Sequence, residues 1–193
     1  MQHSAFARTS LLRGFPALLL ALTIGAAHAD DYGDVNALLR QGKPVEALAK
    51  ADAYIASKPR DPQMRFLRGV ILTEQGRQAD ATAAFTQLTQ DYPELPEPYN
   101  NLAALYAAQG QYDKARAALE MATKLNPDYA TAHENLGDVY VRLAAQSYNR
   151  AKQLEAGNAT VPPKLALIRE MFSTPASGDL PAATPAARKP VRK

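Results

Sequence analysis

The chain has 193 residues, 47% of them hydrophobic and 21% charged, with a formal net charge of +3 and no cysteine. This is a globular composition, and it excludes disulfides, thiolate metal sites and cysteine nucleophiles. The charge sits at the two ends of the chain.

At the N-terminus, Arg8 and Arg13 precede the apolar run "FPALLLALTIGAA", Phe15 to Ala27. Ala27 and Ala29 then place small residues at −3 and −1 before Asp30. That pattern is a cleavable secretory leader, residues 1–29. The run is shorter than the roughly 20 apolar residues a spanning helix needs. No cysteine is available for a lipid anchor and no twin arginine precedes the run. The expected mature chain therefore begins at Asp30, is exported to the periplasm or beyond, and keeps no transmembrane segment. Loss of Arg8 and Arg13 lowers its charge to +1.

From Asp30 onward the dominant signal is a repeat. Gly42, Gly76 and Gly110 recur, as do Ala47, Ala81 and Ala115, and Pro59, Pro93 and Pro127. Each series has a spacing of 34, and periods of 20–50 residues mark solenoids. Each unit reads as two helices that reverse at the glycine and stop at the proline. Glycine reaches the left-handed conformation without a Cβ penalty. Proline lacks the N–H and clashes with the preceding turn.

These residues resemble the tetratricopeptide repeat. Residues 96–129 match it best, through Tyr99, Leu102, Ala103, Tyr106, Gly110, Tyr112, Ala115, Leu119, Ala122 and Pro127. The preceding unit, 62–95, keeps Gly69, Leu72, Gly76, Ala81, Phe85 and Pro93, but has Arg68 where leucine is usual. The first unit, 30–61, keeps Leu38, Gly42, Ala47 and Pro59. The fourth, 130–163, keeps Leu136, Gly137 and Tyr140, then departs, with Ala144 for the turn glycine and Asn149 for the alanine. The resemblance implies an all-α fold, an α-solenoid of about four helix-turn-helix repeats. Gly69, Ala103 and Gly137 are small because each faces its unit's second helix. In the fourth unit the alternatives are a looser turn or two partly merged helices; the looser turn is expected, near Leu143–Gln146, which makes Ala144→Gly neutral or stabilising. "PPKLALIREMF", Pro162 to Phe172, has proline at a helix start and apolar residues at helical spacing, which suits a capping helix over 162–172.

Beyond the cap, residues 173–193 are rich in proline and alanine and end on Arg188, Lys189, Arg192 and Lys193. This composition cannot bury a core and is expected to be disordered. Without leader and tail the body is slightly acidic, at −2.

By the resemblance, the first helices of successive units line a concave groove that holds a peptide segment or a partner protein. The groove residues implied here are Tyr32, Asn36, Phe66, Val70, Asn100, Asn101, Glu134, Asn135 and Asp138, with asparagines 101 and 135 at its edge. In the family's clamp for acidic chaperone tails, lysines face the groove. Here Tyr32 or Phe66 stands at the first such place and Val70 at the next asparagine, so acidic tails are not expected to bind.

Catalysis finds little support. After cleavage His133 is the only histidine, and it falls where the family packs an aromatic, so a buried or half-buried side chain is expected. One histidine and no cysteine leave no serine triad with a choice of partners and no ordinary zinc site. No glycine spacing fits a phosphate loop. Tryptophan is absent and the body is acidic, so nucleic acid is a poor partner. The sequence reading is a non-enzymatic interaction module of the cell envelope, without cofactor or metal. Its rival is a structural factor tethered to a polyanion or membrane surface by the basic tail.

Overall fold

The computed structural model describes residues 27–173, with side chains from Asp31 onward. The expected leader lies outside these residues up to position 26, and the expected tail from position 174. The described residues form helices α1 (Ala27–Arg40), α2 (Pro44–Ser57), α3 (Pro62–Glu74), α4 (Gln78–Asp91), α5 (Pro96–Ala108), α6 (Tyr112–Leu125), α7 (Ala130–Leu154) and α8 (Val161–Ser173). Each helix packs on the next in chain order, and α5 also touches α7. The result is an α-solenoid.

The three repeating glycines end α1, α3 and α5. Their φ values are +70°, +70° and +73°, and no other described residue has positive φ. At each turn the glycine N–H bonds the carbonyl three residues back, and the next N–H bonds the carbonyl five back. Gly110 reaches Ala107 and Gln111 reaches Tyr106, both at 2.9 Å. This pair of bonds satisfies carbonyls that a helix end leaves orphaned. Pro59, Pro93 and Pro127 each lie two residues beyond the end of α2, α4 or α6, where proline blocks further helix.

Packing explains the small residues. A Cβ on Gly69 would sit 2.6 Å from Cε1 and Cζ of Phe85, whose ring is fully buried. Ala103 is likewise fully buried and shares a cluster with Ala115 and Leu119 of α6. Burial of a side chain such as Phe85 or Leu119 contributes about 1.5–3 kcal/mol. Arg68, the departure from leucine, is accommodated at the edge of the α2–α3 contact, where its Nε donates to Asp52 at 2.6 Å.

The fourth unit overturns two expectations. α7 runs unbroken for 25 residues, so the turn near Leu143–Gln146 does not form. Gly137 faces open space, with nothing within 4 Å of a built Cβ. The cause lies in the sequence beyond Ala144. Phe85 and Leu119, which anchor α4 and α6, correspond by the repeat to Gln153, which is exposed. Asn149 replaces the alanine that allows close approach. With no left-handed glycine and no apolar anchor, reversal gains nothing and the helix continues.

α8 runs back along the C-terminal half of α7. The Lys164 ammonium lies 5.1 Å from the Tyr148 ring centroid and the Arg142 guanidinium 4.5 Å from that of Phe172. Val161 and Leu165 are buried in this contact. His133 is also corrected. It is exposed, with Nε2 2.9 Å from the Pro127 carbonyl oxygen. Because no second helix of that unit packs on this stretch of α7, the place is open.

Two substitutions separate a turn from a helix interior. Gly110→Val, at positive φ, should destabilise by about 1–3 kcal/mol. Ala144→Gly should also destabilise, by about 1 kcal/mol, since it now lies inside a helix. Thermal melts of both variants check this. A neutral or stabilised Ala144→Gly protein would restore the turn.

Candidate peptide-binding groove

The first helices of successive units bring their N-terminal ends to one side of the solenoid. There they frame a cleft of about 730 Å³, lined by Tyr32 of α1, Asp61, Pro62 and Phe66 at the start of α3, and Glu94 to Pro98 leading into α5. Leu125 and Asn126, at the end of α6, close one side. The walls are thus aromatic, aliphatic and proline surface, with carboxylates at Asp61, Glu94 and Glu97.

Asp61 organises the floor. As N-cap of α3 it accepts from the N–H of Gln63 at 3.0 Å and of Met64 at 3.2 Å. Its other oxygen accepts from the hydroxyls of Tyr32 and Tyr54, the latter at 2.8 Å. The two tyrosine rings lie 5.5 Å apart and tilted. Burial by itself would raise the Asp61 carboxyl. The bonds from Tyr32, Tyr54, Met64 and Gln63 outweigh it and hold the group below the usual carboxylate range. Burial, then the bond to Asp61, drives the Tyr32 phenol far above its ordinary value. Asp61 is therefore committed to the fold, which leaves Glu94 and Glu97 to meet a ligand. Outside the lining, burial and then the charge of Glu97 push the Tyr129 phenol up to about 12.

Of the nine residues expected in the groove, Tyr32 and Phe66 line this cleft together. Phe66 is otherwise buried, its ring 5.5 Å from Phe85. Asn36 and Val70 are half-buried and lie outside the lining. The asparagines belong to the interior. Asn135 Nδ2 donates to Asn100 Oδ1 at 2.8 Å, with both residues fully buried, and so ties α7 to α5. Asn101 Nδ2 donates to the Glu97 carbonyl at 2.9 Å and is also buried. Asn100 Nδ2 has no hydrogen-bond partner among the described residues. Glu134 is exposed and Asp138 half-buried, one turn apart on α7 and away from the cleft. Burial raises the Asp138 carboxyl, Arg142 lowers it and Glu134 raises it further. The sequence reading missed Asp61, Glu94, Leu125 and Asn126 as lining residues. Asp61 carries a readable signal, an aspartate directly before a helix-starting proline. The other three lie at or beyond helix ends, where periodicity says nothing.

No group of described residues is suited to hold a metal ion, and no described helix is long and apolar enough to cross a membrane.

Removing the Asp61 carboxylate tests this floor. Asp61→Ala should lower stability at neutral pH by about 1–2 kcal/mol, the range for a lost N-cap. The folded-state pKa of Asp61 is depressed, so its contribution is complete above the unfolded value of about 3.9 and fades as pH falls through the folded one. Denaturant melts of wild type and variant should therefore converge in acid.

The fold has many solved counterparts. A crystal structure of MamA shares 20% identity, covering 71% of this chain and 83% of its own, with a TM-score of 0.54. A thermophilic tetratricopeptide protein from Thermus thermophilus shares 21%, covering 75% and 82%, with a TM-score of 0.56. The structure of Naa15/Naa10 bound to HypK-THB shares 17%, covering 74% of this chain but only 22% of its own, with a TM-score of 0.52. No curated protein matches the sequence. Tetratricopeptide-repeat families match residues 32–96 and 84–117, and a TPR-repeat family matches 105–143. The chain is a member of the tetratricopeptide repeat family.

Proposed function

We propose that this chain is an exported, non-enzymatic interaction module that holds a peptide segment or partner protein in its groove at the cell envelope. Repeats of this family support a protein–protein interaction scaffold. The observation that carries the groove reading is the cleft between the starts of α3 and α5. There Tyr32, Phe66 and Leu95 offer apolar surface beside the carboxylates of Glu94 and Glu97. A concave, mainly apolar site with a few placed polar groups is the usual form of a ligand pocket. The charge favours a segment with apolar side chains next to a lysine or arginine, and disfavours an acidic tail. The export reading rests on the leader pattern of Arg8 to Ala29. The basic tail motivates the rival tethering role, with Arg188, Lys189, Arg192 and Lys193 in the last six residues.

Envelope pull-down separates the two. A chain ending at Ser173 should retain its partner, whereas tethering requires that truncation and added salt abolish retention. Glu94→Lys combined with Glu97→Lys should reduce capture at least tenfold, by about 1.4 kcal/mol or more, without lowering the melting temperature. Unchanged capture would move the site elsewhere. Acidic chaperone-tail peptides should show no binding in titrations. Protein recovered from the envelope should begin at Asp30 on N-terminal sequencing, and a start before Ala27 would refute processing at that site.

A further inference from the structure

One stretch of this chain has the chemistry that the cleft between α3 and α5 favours. The cleft sets Tyr32, Phe66 and Leu95 beside Glu94 and Glu97. Among the described residues, neither glutamate takes part in a salt bridge. Asp61 is already held by two tyrosines and by its own helix, so Glu94 and Glu97 are the carboxylates left to meet a cation. Residues 185–193 read PAARKPVRK. Pro190 and Val191 are apolar, with Arg188 and Lys189 before them and Arg192 and Lys193 after, and no acid follows Asp179. Proline holds φ near about −65° and presets an extended backbone, which lowers the ordering cost of laying a segment into a cleft. Aromatic-lined grooves take proline-bearing segments in this way.

The path fits as well. α8 carries the chain back toward the end of the solenoid where α5 and α7 begin, and Phe172 draws level with Arg142. At about 100° per residue, Arg142 falls on the same arc of α7 as Glu134 and Asp138, so α8 ends beside an acidic face. From Arg142 to the start of α7 is about 18 Å along the axis. The cleft lies about two helix spacings of 8–10 Å to the side. Fifteen residues lead from Ser173 to Arg188, and extended they span up to about 50 Å. A tether that reaches its site with length to spare makes docking intramolecular, at an effective concentration on the order of millimolar.

We infer that the cleft holds the chain's own residues 185–193, with Pro190 and Val191 against Tyr32 and Phe66 and the flanking cations on Glu94 and Glu97. The segment is then an internal competitor, and a partner binds only by displacing it. This inference rests on the cleft being a segment-binding site, as proposed above, and adds that the site is occupied from within.

The absence of cysteine makes a disulfide test clean. Gln63 is exposed and lines the cleft, while Leu154 is exposed at the far end of α7, as many residues from Arg142 as the start of that helix is. In the full chain, Gln63→Cys with Val191→Cys should form an intrachain disulfide at least tenfold faster than Leu154→Cys with Val191→Cys. Glu94→Lys with Glu97→Lys should slow the first pair to the rate of the second. So should Arg188→Glu, Lys189→Glu, Arg192→Glu and Lys193→Glu together, a set that touches none of the described helices. Equal rates for the two pairs overturn the inference, as does a fast first pair indifferent to both charge reversals. Disulfides between two chains rather than within one also overturn it, and assign the cleft to another copy's segment. Envelope capture keeps this inference apart from the partner reading. The four segment substitutions should raise capture by the full chain severalfold, and unchanged capture overturns the competition. A slow first pair, with capture still lost on Glu94→Lys and Glu97→Lys, ends self-occupancy and leaves the partner site standing. A fast first pair, with capture unaffected by those two substitutions, keeps the intrachain contact and ends the partner reading.

Discussion

The seating of a large side chain from the second helix of a unit over a residue with little or no side chain on the first governs this solenoid. Phe85 against Gly69 is the clearest case, since a single methyl on the glycine would overlap the ring. Leu119 in the cluster with Ala103 repeats the arrangement with one more carbon. The left-handed glycine lets the chain turn back, but the buried anchor makes turning back favourable. In the fourth unit the small residue persists as Gly137 while the anchor has become Gln153, and α7 extends to about 37 Å. One polar substitution at an anchor, together with loss of one glycine, marks the difference between a helical hairpin and a rod.

Much of the fold is legible in the sequence because its determinants recur. The three turn glycines share one conformation, and the prolines fall at one offset from three helix ends. Arg68 reads as a defect in the repeat and is served by Asp52 on the neighbouring helix. Where the repeat decays, legibility ends. Ala144 is recognisably a poor turn residue, but the heavier change is Gln153, nine residues on, which removes the reason for any turn. His133 belongs inside by analogy with Tyr99, yet no second helix of its own unit packs on that side of α7 to bury it.

The groove is less legible than the fold. Helical arcs correctly group Tyr32 with Phe66, which belong to different units and meet at one cleft. Arcs cannot say how closely neighbouring first helices approach, and that spacing decides whether a polar residue faces a ligand or a neighbour. Asn100 and Asn135 come close enough to bond each other and so leave the surface. Of the three carboxylates that line the cleft, Glu97 stands on α5, but Asp61 and Glu94 stand in the connections between helices, where side-chain direction is set by turn geometry rather than by period.

The interior is divided unequally between the two halves of the solenoid. One buried cluster gathers Met64, Phe66, Ile71, Leu72, Phe85 and Leu88 with the residues of α1 and α2. The other, across α5 to α7, consists of four alanines with Leu119 and Val139. In a linear array each unit is stabilised by its own core and its nearest neighbours. The C-terminal half should therefore open at a lower free energy than the N-terminal half, as a separate cooperative unit. The cleft straddles that boundary, with Tyr32 and Phe66 on the robust side and Pro98 and Leu125 on the weaker one. A segment bound there would clamp the labile half onto the rigid half, so that occupancy of the groove and the integrity of α5 to α7 are thermodynamically linked.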